Sequence, residues 1–347
     1  MKINRVTVNK IYASGGSETP EVILELENNL KSFASVPAGI SAGKYEAIKT
    51  APENYSRQIT DINQLLIGKD WTQETLDKEL KAHTFGGNIT LAVSAAFWRF
   101  SFRMPQASVR FPQLFLLAFE GGKHGNSNLT IQEFCLLEDS LTQARSDYLK
   151  LRQYLSDVTA EITVGAEGGF SPLSLDNIKA LETIGINFPQ KKIALDVADT
   201  FAGDQSLDYP QLISHYPLFS LEDPYNDEDW EKWSKLTADV GNNVLIIGDD
   251  LTSTNPERIK KAIELRALNA VVIKPNQIGT ITDSLAAVKT AREGNLKIVV
   301  SHRGEETNDT WIVDFALAIG ADYVKLGGFA RGERIAKYNR LKELGMN

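Results

Sequence analysis

The sequence predicts an α/β barrel of the (β/α)8 type, preceded by an α+β region. Three observations carry this. Six short apolar runs each end on an ionisable residue. Those ends, from Asp196 through Glu222, Asp249, Lys274 and His302 to Lys325, are spaced 23 to 28 residues apart, the length of a βα unit. The stretches between them carry helical periodicity, as in "NPERIKKAIELRA" and "TDSLAAVKTARE". Strand C-termini gather at one face of such a barrel and build its site there. An open doubly wound sheet is the competing architecture. It is disfavoured because no Gly-rich nucleotide fingerprint is present and nearly every strand delivers an ionisable residue at its end.

Taken in order, residues 1–105 read as an α+β capping domain. "NRVTVNKIYA" and "EVILELEN" alternate as strands, and "KSFASVPA" adds a third. "ENYSRQITDINQLLIG" and "TQETLDKELKA" read as amphipathic helices, and "NITLAVSAAFWRFSFR" as a largely apolar, buried one. "MPQASVRFP" carries two prolines and reads as the domain boundary. Residues 106–347 then form the barrel. Two leading strands, "PQLFLLAFEGG" and "IQEFCLLE", precede helices at roughly Leu141 to Asp157 and Ser174 to Thr183. The six βα units follow, so the strands number eight.

Bulk properties narrow the function. The chain has 347 residues, 42% of them hydrophobic, which supports a sizeable core. A net charge of −8 argues against general nucleic-acid binding. Any anionic substrate must be drawn in by a local cluster of cations. The single cysteine, Cys135, rules out an internal disulfide and suits a reducing compartment. "MKINRVTVNK" lacks the apolar core of a signal peptide, and no run approaches a membrane span. A cytoplasmic protein is expected.

On a barrel, Asp196, Glu222 and Asp249 converge on one small volume. Carboxylates that close repel unless a cation joins them, and all-oxygen ligation favours a hard ion such as Mg²⁺. Each acid alone is more often a cap or turn residue; three on successive strands are not. The next ends reverse sign: Lys274, His302, Arg303 and Lys325. A lysine beside a divalent ion has its pKa lowered and suits a general base. Arg303 suits a phosphate or carboxylate clamp. His302 either donates to the same anion or is a packed ring. "VPAGISAGKYEA" is a Gly-rich loop whose Ser41 offers a hydroxyl to a metal or a phosphate, or is an ordinary turn. "TVGAEGGFSP" places Glu167, with its pKa raised, as an acid for a leaving hydroxide; the polar-loop reading competes. "GGKHGNSNLTIQEF" offers His124, Gln132 and Glu133. The acids Glu305, Glu306 and Asp309 read as the first turn of the following helix.

These segments together resemble the enolase family, most closely from Ser220 to Tyr338. "SLEDPYNDEDWEKW", "GDDLTSTNPERI", "IKPNQIGTITDSL", "SHRGEETNDT" and "ARGERIAKYN" are similar to family segments almost residue for residue. "VPAGISAGKYEA", "HGNSNLTIQEF" and "VGAEGGFSP" resemble its loop motifs. The resemblance implies an enolase-type modified TIM barrel and Mg²⁺-dependent, reversible dehydration of 2-phosphoglycerate to phosphoenolpyruvate. Lysine bases paired with Mg²⁺ are what enolase-superfamily sites use. By resemblance, Asp196, Glu222 and Asp249 hold one Mg²⁺, and Ser41 joins a second, substrate-dependent one. Lys274 takes the carbon-2 proton, Mg²⁺ stabilises the aci-carboxylate, and Glu167, with Glu133 beside it, helps the hydroxyl leave. Gln132 and Lys325 surround the carboxylate and the reacting centre. Arg303 and Gly304 face the phosphate, and His124 and His302 close on the substrate. The chain is shorter than the family's usual length. Ala166 replaces an acid, and Gly304 replaces a serine. "ASGGSET" stands where the family has "DSRGNPT", and Asn9 where it has arginine; these positions belong to the family's homodimer contact. Two alternatives follow: a paralogue acting on another 2-phospho or 2-hydroxy acid, and a non-catalytic binding protein.

Overall fold

The computed structural model describes residues 1–39, 43–102, 110–125, 128–159, 162–198 and 207–347. The N-terminal region is an antiparallel meander of β1 (Ile3–Tyr12), β2 (Glu18–Leu26) and β3 (Lys31–Ser35). Three helices follow: α1 (Tyr55–Leu66), α2 (Gln73–Lys81) and α3 (Gly87–Ser101). Every residue of α3 from Gly87 to Trp98 is buried, as its apolar sequence predicts. The expected boundary at residues 105/106 lies outside the described residues.

The barrel is closed. Its strands are β4 (Gln113–Glu120), β5 (Glu133–Glu138), β6 (Ile193–Asp196), β7 (Leu218–Glu222), β8 (Leu245–Gly248), β9 (Ala270–Ile273), β10 (Lys297–Ser301) and β11 (Tyr323–Lys325), in that order, with β11 closing on β4. The two leading strands and six βα units expected from the sequence are present. One strand departs from a plain (β/α)8 pattern: β5 runs antiparallel to both β4 and β6. Its first residue, Glu133, therefore pairs with Glu120 at the end of β4 and with Asp196 at the end of β6.

The lumen is filled by one cluster drawn from all eight strands, including Phe115, Cys135, Ala194, Phe219, Ile247, Val272, Val299 and Tyr323. Side chains along a strand alternate between faces. Two residues beyond Cys135, Ala194, Ile247, Val272, Val299 and Tyr323, toward the mouth, stand Glu133, Asp196, Asp249, Lys274, Ser301 and Lys325. The pleat that packs the lumen thus also aims the charged residues.

Side-chain caps define where the outer helices start. Ser140 accepts the Gln143 N–H at the head of helix Leu141–Val158, and Asp176 accepts the Lys179 N–H at the head of Asn177–Asn187. The second helix begins three residues later than expected because Asp176 is its cap. Asp229, Asn255 and Thr280 cap Trp230–Val240, Pro256–Glu264 and Ile281–Glu293 in the same way. The reading of Glu305 and Glu306 as a helical first turn is corrected. That helix starts at Trp311, and Glu306 is buried four residues into the loop after β10. Asp309 does reach the helix start, accepting the Thr310 and Trp311 N–H groups, and also pairs with Arg99 of α3. Asp77 of α2 accepts the Thr282 N–H, and Thr90 of α3 donates to the Gly279 carbonyl. These contacts seat the N-terminal region beside the mouth.

Candidate active site

One cavity at the mouth is lined by Glu46, His124, Gln132, Glu133, Glu167, Asp196, Asp249, Lys274, His302, Arg303, Gly304 and Lys325. The sequence-predicted residues therefore meet, except for Glu222, which is buried beside them, and Ser41, which lies outside the described residues.

Lys325 is the hub of the acidic side. Its Nζ lies 2.8 Å from Asp196 Oδ2, 2.9 Å from Glu222 Oε1 and 3.1 Å from Glu133 Oε2. Burial pulls its pKa down, but Asp196 first and then the two glutamates raise it well above the usual lysine value. Lys274 makes a short ion pair with Asp249. Burial lowers this lysine too, and Asp249 more than reverses it, to about 12. The lowered value expected from sequence belongs to a lysine beside a divalent ion; in this structure Lys274 faces the Asp249 carboxylate. Gln277 donates to Asp249 Oδ1 at 2.9 Å and accepts from Thr254.

The acids fit a hard cation. Burial, then Asp196, pushes Glu222 up to about 8, and Asp196 Oδ1 is buried with no hydrogen-bond partner. Buried carboxylates without enough counter-charge are what a divalent ion relieves. Asp196, Glu222 and Asp249 do not form one tight cluster, however. Among the described residues, the trios whose ligand atoms lie within 4.8 Å of one another are Glu120–His124–Glu167, Glu133–Glu167–His302 and Asp223–Asp249–Asp250.

Glu167 sits between two imidazoles, 3.4 Å from His124 Nδ1 and 3.1 Å from His302 Nε2. Burial pushes it up, and His302 and His124 together bring it well below the usual carboxylate range. The His302 ring is itself pushed down to about 4 by burial. His124 is raised by Glu167 against burial. The raised Glu167 pKa expected from sequence is thereby corrected: the two imidazoles beside it outweigh its burial. The loop holding Glu167 is fixed from behind by Glu120, whose carboxylate accepts the N–H groups of Glu167 at 2.8 Å and Gly169 at 3.0 Å. A Cβ on Gly328 would overlap the Gly168 carbonyl, so the two loops close only with glycine there.

Arg303 is held by a bidentate pair with Glu46, at 3.0 and 2.9 Å. Gly39, at φ +72°, places its backbone against that guanidinium. Tyr45 packs under the Arg258 guanidinium, 3.8 Å from its ring centre, and donates to Glu228. The Gly-rich loop is thus docked on the barrel through "KYE". Sequence reasoning missed Glu46 and Glu120. Both had a signal: Glu46 lies inside the loop motif, and Glu120 is one more acid at a strand end.

An acidic cage facing two lysines and an arginine at a barrel mouth defines a class, the barrel enzymes that handle anionic acids. Comparison narrows it. The family description "Enolase, C-terminal TIM barrel domain" matches residues 186–345. The chain is 32% identical over 401 aligned positions to the enolase of Ehrlichia ruminantium (strain Gardel), covering 98% of this chain and 95% of that protein. It is 34% identical to the enolase of Ehrlichia canis (strain Jake) over 98% and 95%. With the enolase of Beutenbergia cavernae it shares 33% identity over 98% and 94%. The chain belongs to the enolase family of lyases. Those alignments exceed the chain's 347 residues, so this member is shortened by internal gaps.

Proposed function

We propose that the chain interconverts 2-phosphoglycerate and phosphoenolpyruvate, and that Mg²⁺ assists it. The observation that carries this is the single cavity in which Lys274, Glu167 and Arg303 face the acids around Lys325. Asp196, Glu222 and Asp249 would hold Mg²⁺, which when bound supplies positive charge beside the substrate carboxylate. A second, substrate-dependent Mg²⁺ at Ser41 belongs to the same reading.

Lys274 takes the carbon-2 proton. Its pair with Asp249 keeps it protonated, so it becomes a base once Asp249 is otherwise engaged. The proton for the departing hydroxide comes from the His124–Glu167 pair, with Glu133 next to Lys325. Lys325 and Gln132 stand beside the substrate carboxylate, and His302 closes the wall over Glu167. Arg303 takes the phosphate by exchanging the Glu46 carboxylate for phosphate oxygens, both of which suit its planar fork. Gly304 offers backbone alone. We further propose a division of the chain at 105/106 and a cytoplasmic location; the family's homodimer is not proposed, because its contact residues are altered at Asn9 and Ala13–Thr19. Among the described residues no helix is long and apolar enough to cross a membrane.

The test is an absorbance assay for the enol product from 2-phosphoglycerate, with Mg²⁺ and then with chelator. Signal with Mg²⁺ and loss with chelator are expected; silence with Mg²⁺ removes the proposal. A second reading is favoured by Gly304 and Ala166, which take a hydroxyl and an acid from positions next to Arg303 and Glu167. It is a paralogue acting on a related 2-phospho or 2-hydroxy acid, and a substrate panel showing turnover only of such an acid would select it.

A further inference from the structure

The loop after β10 is supported from behind by charges that the reaction scheme does not use. Arg334 is fully buried, and its two Nη atoms donate to the carbonyls of Arg303 and Gly304, each at 2.7 Å. Glu306, also buried, accepts the N–H groups of Arg303 and Thr307, each at 3.1 Å. Lys337, with no exposure, pairs with Glu306 at 2.9 Å and donates to the Thr307 carbonyl at 3.0 Å. The remaining carbonyls, of Glu305 and Glu306, accept from Gly39 and Ser14, and Ser14 Oγ accepts the Glu306 N–H.

This bookkeeping leaves a remainder. From residue 303 to 307, among the described residues, only the N–H groups of Gly304 and Glu305 have no protein partner. Gly304 is buried and Glu305 half-buried, and a buried backbone donor is rarely left unpaired. No peptide bond here is cis, and in a trans peptide the C=O and N–H point in opposite directions. The two carbonyls gripped by Arg334 belong to the same two peptide units as the two unpaired N–H groups. Gripping one end therefore turns the other end away from Arg334, and Gly304 lines the cavity. A cation on a carbonyl also polarises its peptide, making the N–H a stronger donor. Two successive N–H groups so arranged form an anion-binding concavity.

We propose that Arg334 is a positioning residue. It sets and polarises the Gly304 and Glu305 peptides as a two-donor nest for a phosphate group beside Arg303, and Glu306 and Lys337 lock the loop in that state. The role rests on the phosphate reading of the site. At position 304 the backbone alone carries the contact, and it is polarised from behind.

The deciding experiment titrates inorganic phosphate into ¹⁵N-labelled wild-type protein with Mg²⁺ and follows the Gly304 and Glu305 amides. Both are expected to shift downfield and saturate together. In Arg334→Gln, KM for 2-phosphoglycerate rises roughly tenfold to a hundredfold, the worth of a hydrogen bond to a charged group. Because phosphate binding is shared by ground and transition states, kcat stays within about threefold. Arg334→Lys, which keeps the charge, falls between. Phosphate that binds while both amides stay still, or a folded Arg334→Gln with unchanged KM, overturns the role of Arg334 and leaves the proposed reaction standing. No phosphate binding and no turnover in the wild type overturn both. If Arg334→Gln does not fold, the wild-type titration still decides.

Discussion

Glu133, Asp196, Glu222 and Asp249, on the β5–β8 side of the mouth, take their counter-charges from the ends of other strands, from Lys325 of β11 and from Lys274 after the neighbouring β9. Arg303, after β10, has the opposite arrangement. Its guanidinium faces Glu46 of the N-terminal region, while its backbone is fixed by Glu306 and Arg334 behind it. The acids are thus neutralised by groups that themselves stand in the cavity. The Arg303 side chain is likewise paired within the cavity, by Glu46, but its backbone rests on a framework behind the wall. A side chain paired inside the cavity is free to change partners during turnover; a backbone held by the framework is not. The first suits chemistry and the second suits holding an inert group.

This contrast can be broken at several points. The largest effect is expected from Lys274→Ala: turnover falls by about 10²–10⁴, the usual worth of a positioned base, while the circular dichroism spectrum is kept. Turnover like that of the wild type would remove Lys274 from the chemistry. Next is Lys325→Met, which leaves three buried carboxylates without their shared cation. Breaking a buried pair this way costs about 3–5 kcal/mol, read as a lower urea midpoint in metal-free buffer. An unchanged midpoint would mean that the acids are not balanced by Lys325. Gly304→Ser should tighten 2-phosphoglycerate binding by about 1.5–3 kcal/mol, one added hydrogen bond to a charged group. Equal or weaker binding would show that the nest is already full. Glu46→Gln should tighten inorganic phosphate binding by about 1 kcal/mol, since a neutral amide yields Arg303 more easily than a carboxylate. No change in the titration would mean that Glu46 and phosphate do not compete.

The smallest effect is a slope at the far end of β5. Glu138 is buried there and shares Lys191 with Asp147. Burial pushes it up to about 7 from 4.5. A raised folded pKa stabilises below the unfolded value and loses that contribution as pH rises through the folded one. The melting temperature should therefore fall between pH 4.5 and about 7, and Glu138→Gln should flatten that fall. A curve of the same shape in the variant would assign the slope to another group.

Much of this was legible in the sequence for a simple reason. The alternation that puts Val272 in the lumen also puts Lys274 at the mouth, so apolar runs with charged ends mark both core and site. The repeat length and the helical periodicity located the outer helices, with the cap Asp176 setting a start three residues later than the sequence pattern suggested. What stayed hidden depended on pairing across the chain. Glu46 meets Arg303 from 257 residues away, and no local pattern records that. The reversal of β5 was equally hidden: Glu133 was placed in the site by its motif, while the antiparallel pairing that brings the first residue of β5 to the mouth leaves no local mark. Nor does the polar sequence "GERIAKYN" announce that Arg334 and Lys337 are fully buried. Glu306 was misread for the same reason: acids ahead of a helix usually serve its dipole, whereas this one is drawn inward by Lys337.

Cys135 lies in the lumen, two residues along β5 from Glu133, and it is the only thiol in the chain. Burial holds that thiol well above its ordinary pKa, so reagent meets a reactive thiolate only when the barrel wall parts. Its labelling rate is therefore a clock for opening of the barrel. A ligand that ties strands together across the mouth will slow that clock, whether or not it is ever turned over.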